Sequence, residues 1–210
     1  MDLSNPIRSV IPSAHGSVLA VLARTDQSLS GRRVAELTGG RVSARGTSNA
    51  LRALAEAGVV LVEDHPPAKL YRLNRRHLAA DAIVALAEMR PRLLEALRER
   101  LGGWKVGATA SWLFGSAARG DGSIDSDIDV LLVRADRVDP DDDVWNAQID
   151  ELADDVRAWT GNRCSVVEYS ATDFRRLIAG PERLADELRA DGIRLTGDME
   201  LRVVGRRHRA

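Results

Sequence analysis

The sequence predicts an α+β protein in two parts, and three observations predict it. Three helix-forming segments with capping residues come first and end in a two-strand hairpin signal. Strand-like and helix-like segments then alternate to the end of the chain. At the centre of the second part, the apolar run 110–114 stops at Gly115-Ser116. A glycine-spaced loop follows, and Asp127-Ile128-Asp129 opens the apolar run 130–133.

Residues 14–23 read as a helix, with Val18, Val21 and Leu22 at helical spacing. Ser30 caps a short helix to Thr38, which Gly39-Gly40 ends. Ser43 caps a third helix, to residue 57. Thr47, Ala50, Leu51 and Leu54 form its inner face and Gly58 closes it, while Gly46 weakens it. Residues 59–64 and 69–73 are strands joined by the turn His65-Pro66-Pro67-Ala68. Three helices and a hairpin is the order of a winged helix-turn-helix.

Residues 75–101 are mostly helical, restarted or kinked at Pro91, with Ile83, Leu86, Leu93, Leu94, Leu97 and Leu101 available for burial. We place the domain boundary near residues 80–90, which divides the chain into 1–80, 81–200 and a basic tail, 201–210. Residues 106–114, 126–133 and 163–169 read as strands. Asp139-Pro140 opens a helix as N-cap and N1, with Trp145, Ile149, Leu152, Val156 and Trp159 as its buried stripe. Residues 171–178 and 181–190 are helices, and 193–195 a short last strand.

With 210 residues, 44% hydrophobic and 29% charged, the chain suits a soluble protein of one or two domains. It holds no apolar stretch long enough to span a bilayer and no leader pattern at its start. The single cysteine, Cys164, excludes an intrachain disulfide framework and a cysteine-built zinc site, and fits the reducing cytoplasm. Four scattered histidines show no ligand spacing, so any metal is expected on oxygen. Residues 1–80 carry 11 basic and 6 acidic side chains, net +5, and the remainder nets −6. The first part suits a polyanion; the second needs cations before it can accept a phosphate.

Side chains two apart on a strand share a face, so Asp127 and Asp129 point the same way. Two bare carboxylates at that spacing repel by roughly 1–4 kcal/mol. Divalent cations remove that cost, and hard oxygen ligands select Mg²⁺ or Mn²⁺. Two such ions would polarise an α-phosphate, activate an attacking hydroxyl and stabilise leaving pyrophosphate. Glu168, at the end of the run 164–167, is the candidate third acid, as metal ligand and general base. Gly115 and Ser116 offer a tight turn, backbone N–H groups and a hydroxyl to phosphate oxygens, and Arg119 adds charge. Asp121 and Asp125 read as loop-forming residues. Asp139 and Asp141 to Asp143 sit at a helix start, where capping accounts for them.

Gly115-Ser116, ten residues and Asp127-Ile128-Asp129 resemble the signature of the DNA polymerase β-like nucleotidyltransferase superfamily. The likeness is strongest to its minimal, MNT-type branch, related to the aminoglycoside nucleotidyltransferases. The wider runs 113–121 and 126–132 extend the match, and similarity of pattern covers roughly residues 90–196. The resemblance implies a nucleotidyltransferase fold with a small mixed β-sheet flanked by helices, an ATP-type donor, two Mg²⁺ ions and transfer of NMP to a hydroxyl. Asp127 and Asp129 match the family's metal aspartates, and Gly115 and Ser116 its phosphate-binding turn. The family's third acid is often Asp; Glu168 is a departure that some aminoglycoside-modifying members share.

Arg45, Ser48, Asn49 and Arg52 face outward on the third helix, with Arg41 just before it and Lys69 and Arg72 on the hairpin. Arg and Asn read guanine and adenine edges, and Arg and Ser hold phosphates. Residues 30–75 resemble winged regulators of the MarR/ArsR type, notably over 48–60 and 71–74, which implies a homodimer on double-stranded DNA. The leading reading is therefore an Mg-dependent nucleotidyltransferase, transferring AMP from ATP to a protein, RNA or small-molecule hydroxyl, coupled to a DNA-binding winged helix. Family analogy adds a toxin–antitoxin or stress-regulatory setting. Two rivals stay open: a transcriptional regulator whose second domain senses nucleotide without catalysis, and a drug-modifying enzyme whose first domain merely packs.

Overall fold

The computed structural model describes residues 1–201; from residue 202 onward the expected basic tail lies outside the described residues. The chain divides into two compact units between Pro91 and Arg92. This is later than the division at 80/81 expected from the sequence. The helix Ala80–Ala87 buries Ile83 and Ala87 in the core of the first unit and so belongs to it.

The first unit runs through a 3-10 turn (Pro6–Ser9), α1 (Ala14–Ala23), β1 (Leu29–Ser30), α2 (Gly31–Leu37), α3 (Ala44–Glu56), β2 (Val60–His65), β3 (Ala68–Leu73) and α4 (Ala80–Ala87). Both serine caps form. Ser30 Oγ accepts from the Arg33 N–H at 3.2 Å, and Ser43 Oγ from the Gly46 N–H at 3.1 Å. Each cap contributes about 1 kcal/mol. The buried side of α3 is Thr47, Ala50, Leu51 and Leu54, as their spacing predicts. They pack with Ile7, Val18, Leu22 and Val34, all fully buried. Each fully buried aliphatic side chain contributes about 1.5–3 kcal/mol. β2 and β3 pair antiparallel around the hairpin turn, and the two-residue β1 adds to the far side of β3 to give the order β1-β3-β2.

The second unit takes up the chain within α5 (Met89–Gly102) and continues through β4 (Ala110–Phe114), α6 (Gly115–Arg119), β5 (Ile128–Arg134), α7 (Asp143–Thr160), β6 (Cys164–Ser170), α8 (Ala171–Ala179), α9 (Arg183–Asp191) and β7 (Ile193–Gly197). Pro91 falls in the first turn of α5, where a missing N–H costs no helix bond, so the helical run breaks at Glu88 instead. The sheet order is β6-β5-β4-β7, with β5 and β6 parallel and the other pairs antiparallel. This is a mixed α+β arrangement.

Strand alternation separates the two sheet faces. Trp112, Phe114, Leu131 and Val133 lie on one face with Phe174, Leu177, Ala185 and Leu188 of α8 and α9. The register pairs Trp112 with Leu131 and Phe114 with Asp129, so Asp129 opens this same face. Val130 and Leu132 point to the other, where Trp145 of α7 is fully buried and its Nε1–H donates to Glu168 of β6. Trp112 stacks on Phe174 with ring centroids 4.9 Å apart.

The N-cap of α7 is Asp142, not Asp139. Asp142 Oδ1 accepts from the Trp145 N–H at 2.8 Å, while Asp139 Oδ1 accepts from the Asp141 N–H at 2.9 Å in the preceding turn. The buried stripe of α7 is Trp145, Gln148, Leu152, Val156 and Thr160. Ile149 is half-buried and Trp159 is 43% exposed, against expectation. Gln148 takes the inward place because its amide meets the main chain of residues 105 and 106: Oε1 accepts from the Lys105 N–H and Nε2–H donates to the Val106 carbonyl.

Candidate active site

The candidate corner forms where β4 ends and β5 begins. Phe114 pairs with Asp129, so the residue after Phe114 turns directly over the Asp129 carboxylate. That residue is Gly115, with φ +65°, and a Cβ built there would lie 2.4 Å from Asp129 Oδ2. A side chain there would push the Asp129 carboxylate aside, and the backbone conformation itself disfavours one. Ser116 follows in the single short helix α6, and the Ser116 carbonyl accepts from the Gly120 and Asp121 N–H groups at 2.9 and 3.1 Å. The structure thus joins Gly115, Ser116 and Asp129, which the sequence separates by a loop.

Asp127 stands two residues before Asp129 in the approach to β5. Burial holds the Asp129 carboxyl above the usual carboxylate range, and the negative charges of Asp127 and Glu187 add to this, against the opposing charge of Arg119 and the Ser165 hydroxyl. Burial together with the same two aspartates pushes the Cys164 thiol up to about 12, so it stays a neutral neighbour. The loop that delivers Asp127 is held by a residue no motif singles out. The buried Asn162 donates from Nδ2 to the Ser126 carbonyl at 2.8 Å and reaches the Ser123 and Ile124 carbonyls at 3.3 Å. Ser126 Oγ accepts from the Ser123 N–H at 2.8 Å.

The structure does not bring Glu168, the expected third acid and general base, to this corner. Ser165 is in register with Asp129; Glu168, three residues further along β6, is in register with Leu132. Three residues carry it about 10 Å along the strand and, being an odd number, to the opposite face. There Glu168 Oε1 accepts from Arg134 Nε at 2.7 Å and Oε2 from Trp145 Nε1 at 2.9 Å. Arg119 is also committed. Its Nε donates to Asp121 Oδ2 at 3.1 Å and its Nη1 lies 3.9 Å from Asp191 Oδ2, although its charge still reaches Asp129.

The carboxylates of Asp127 and Asp129 fit one hard divalent cation. They are oxygen donors, they repel each other, and burial and that repulsion together make Asp129 hold its proton more tightly, which a cation would offset. Among the described residues, no group of three or more His, Cys, Asp or Glu side chains is placed to hold a metal.

In the first unit, Arg45, Ser48, Asn49 and Arg52 are exposed on the side of α3 opposite its buried residues. Arg52 Nη2 donates to Asn49 Oδ1 at 3.5 Å. Arg41 is tied to the Thr38 carbonyl and the Ser4 hydroxyl. On the hairpin Lys69 lies 3.6 Å from Asp64, and Arg72 bonds Glu63 at 3.1 Å, so neighbouring acids answer both charges.

Residues 90–171 match the family model of the nucleotidyltransferase domain. The matched region contains the Gly-Ser turn, the aspartate pair and β6. A search of the curated proteins finds no match. Among solved structures, a mutant of the toxin–antitoxin MntA-HpeT is 20% identical, over 52% of this chain and 73% of that one, with a TM-score of 0.33. A toxin–antitoxin structure with AMP-PNP is 21% identical over 52% and 73%, with a TM-score of 0.32. TrmBL2, an archaeal chromatin protein with a novel mode of DNA binding, is 13% identical over 89% and 78%, also at 0.32. At these scores none of the three bears on function. No helix among the described residues is long and apolar enough to cross a membrane.

Proposed function

We propose that the second unit binds a nucleoside triphosphate, ATP as the donor, at the Gly115–Asp129 corner and transfers its NMP to a hydroxyl acceptor. The observation that carries this reading is the close fit of Gly115 over Asp129 inside a matched nucleotidyltransferase domain. The Gly115–Ser116 backbone and the Ser116 hydroxyl hold phosphate oxygens. Asp127 and Asp129 hold a divalent cation, Mg²⁺ or Mn²⁺. A cation held there would supply neutralisation of phosphate charge and polarisation of the α-phosphate. Arg119 exchanges Asp121 for phosphate as the donor enters. The acceptor oxygen bonds to the α-phosphorus, the α–β phosphoanhydride bond breaks, pyrophosphate leaves and the hydroxyl proton passes to water.

The first unit, in the same reading, is a winged helix-turn-helix that presents α3 to double-stranded DNA as a homodimer. The order of its elements and the exposed Arg45, Ser48, Asn49 and Arg52 support this. A second reading, in which the corner binds nucleotide as a sensor without turnover, is favoured by one observation: Glu168 is engaged by Arg134 and Trp145 on the face away from the corner. ATP labelled in its α-phosphate, incubated with the full chain, Mg²⁺ and cell extract, decides between them. Label passing to an acceptor, and lost in Asp127→Ala, supports transfer. Nucleotide bound with no label passed, to extract or to the chain itself, supports the sensor.

A further inference from the structure

We propose that the corner holds one divalent cation per bound nucleotide rather than two, because Ser165 occupies the place where a second ion needs a carboxylate of its own. The proposal rests on the nucleotide-binding reading above and goes beyond it to the composition of the loaded site.

Four observations lead to it. Asp129 opens the α8–α9 face at the start of β5, and Asp127, just before the strand, is near enough for its charge to act on Asp129. The neighbour of Asp129 across the parallel β5–β6 ladder is Ser165, a neutral hydroxyl on the same face. Glu168 is on the opposite face, with both carboxylate oxygens bonded. Glu187 of α9 adds negative potential at Asp129, but its carboxylate is bonded to Arg183 at 2.8 Å and completes no ligating group with the two aspartates.

The chemistry then limits the occupancy. A single Mg²⁺ is satisfied by one or two carboxylates, phosphate oxygens and water, all of which the corner and a triphosphate provide. Paired ions sit about 3.5–4 Å apart and need anionic ligands enough to offset their mutual repulsion. Here both would have to share the same two carboxylates. The ion away from the β- and γ-phosphates would be left with those shared oxygens, one α-phosphate oxygen and a serine.

Counting Mn²⁺ by electron paramagnetic resonance in the full chain at equimolar AMP-PNP tests this. One bound Mn²⁺ per chain is expected. Ser165→Asp, which sets a third carboxylate beside Asp129, should raise the count to two, and Glu168→Gln should leave it at one. Two ions in the unaltered chain would overturn the proposal while leaving the nucleotide site standing. A count of zero would overturn the nucleotide-binding reading as well. A folded Ser165→Asp, checked by circular dichroism, that still binds one ion would remove Ser165 from its assigned part. The count in the unaltered chain needs no variant to fold.

Discussion

Gly115 is closed over Asp129 so tightly that one added carbon at position 115 would sit 2.4 Å from the Asp129 Oδ2 atom. The Gly115 turn and the Asp129 carboxylate are therefore one structural unit, which in the proposed reading offers backbone to phosphate and oxygen to a cation.

It follows that Gly115→Ala weakens nucleotide binding as strongly as removal of the carboxylate does. The added methyl group must displace Asp129, and the left-handed conformation costs an L-residue about 1–2 kcal/mol more. Calorimetry with AMP-PNP and Mg²⁺ should show at least a tenfold loss of affinity. Affinity kept within twofold would mean that Asp129 is not held where the phosphates bind.

Glu168→Ala is expected to lower stability and to leave nucleotide binding in place. Arg134 is only 10% exposed, and removing one partner of a buried ion pair costs about 3–5 kcal/mol. Trp145 also loses its acceptor. Urea unfolding should show this loss, while nucleotide affinity measured well below the midpoint should be nearly unchanged. Unaltered stability with abolished turnover would return Glu168 to the reaction.

Asp136 gives the acid limb a specific contributor. The Thr172 N–H and hydroxyl, both at 2.9 Å, hold its carboxyl below the usual carboxylate range. The folded form thus binds the proton less tightly than the unfolded form. Its stabilising contribution is complete above the ordinary value of 3.8 and is lost as pH falls from there through the lowered folded value. The stability gap between the unaltered chain and Asp136→Asn should be constant at neutral pH and close below pH 3.8. A gap that persists unchanged through that range would contradict the assignment.

If α3 meets DNA as proposed, Arg45→Ala with Arg52→Ala should lower affinity and flatten the dependence of log affinity on log salt by about two per subunit, roughly four for the dimer, one for each phosphate neutralised. Lys69→Ala and Arg72→Ala should do less, since Asp64 and Glu63 already answer those charges. Fluorescence anisotropy over a salt series measures both. An equal effect from the hairpin pair would shift the interface from α3 to the hairpin.

Most helices were legible because their signals are local. The Ser30 and Ser43 caps and the inner face of α3 need only a few neighbouring residues to be read. Side chains set by distant partners were not legible. Gln148 looks solvent-facing until the Lys105 and Val106 backbone is placed beside it, and Asn162 gives no sign that it holds the loop before Asp127. β1 is two residues long and exists only because β3 offers it an edge. The aspartate pair and the Gly-Ser turn were legible from spacing, but strand register was not. Register alone puts Ser165 beside Asp129 and turns Glu168 to the other face.

The central claim, that this corner holds a nucleotide through a cation, meets its most direct test in calorimetry of AMP-PNP with the full chain. Binding with Mg²⁺ present, at least tenfold weaker in EDTA and equally weakened by Asp127→Ala, is the predicted result. Binding indifferent to both EDTA and Asp127→Ala would contradict it.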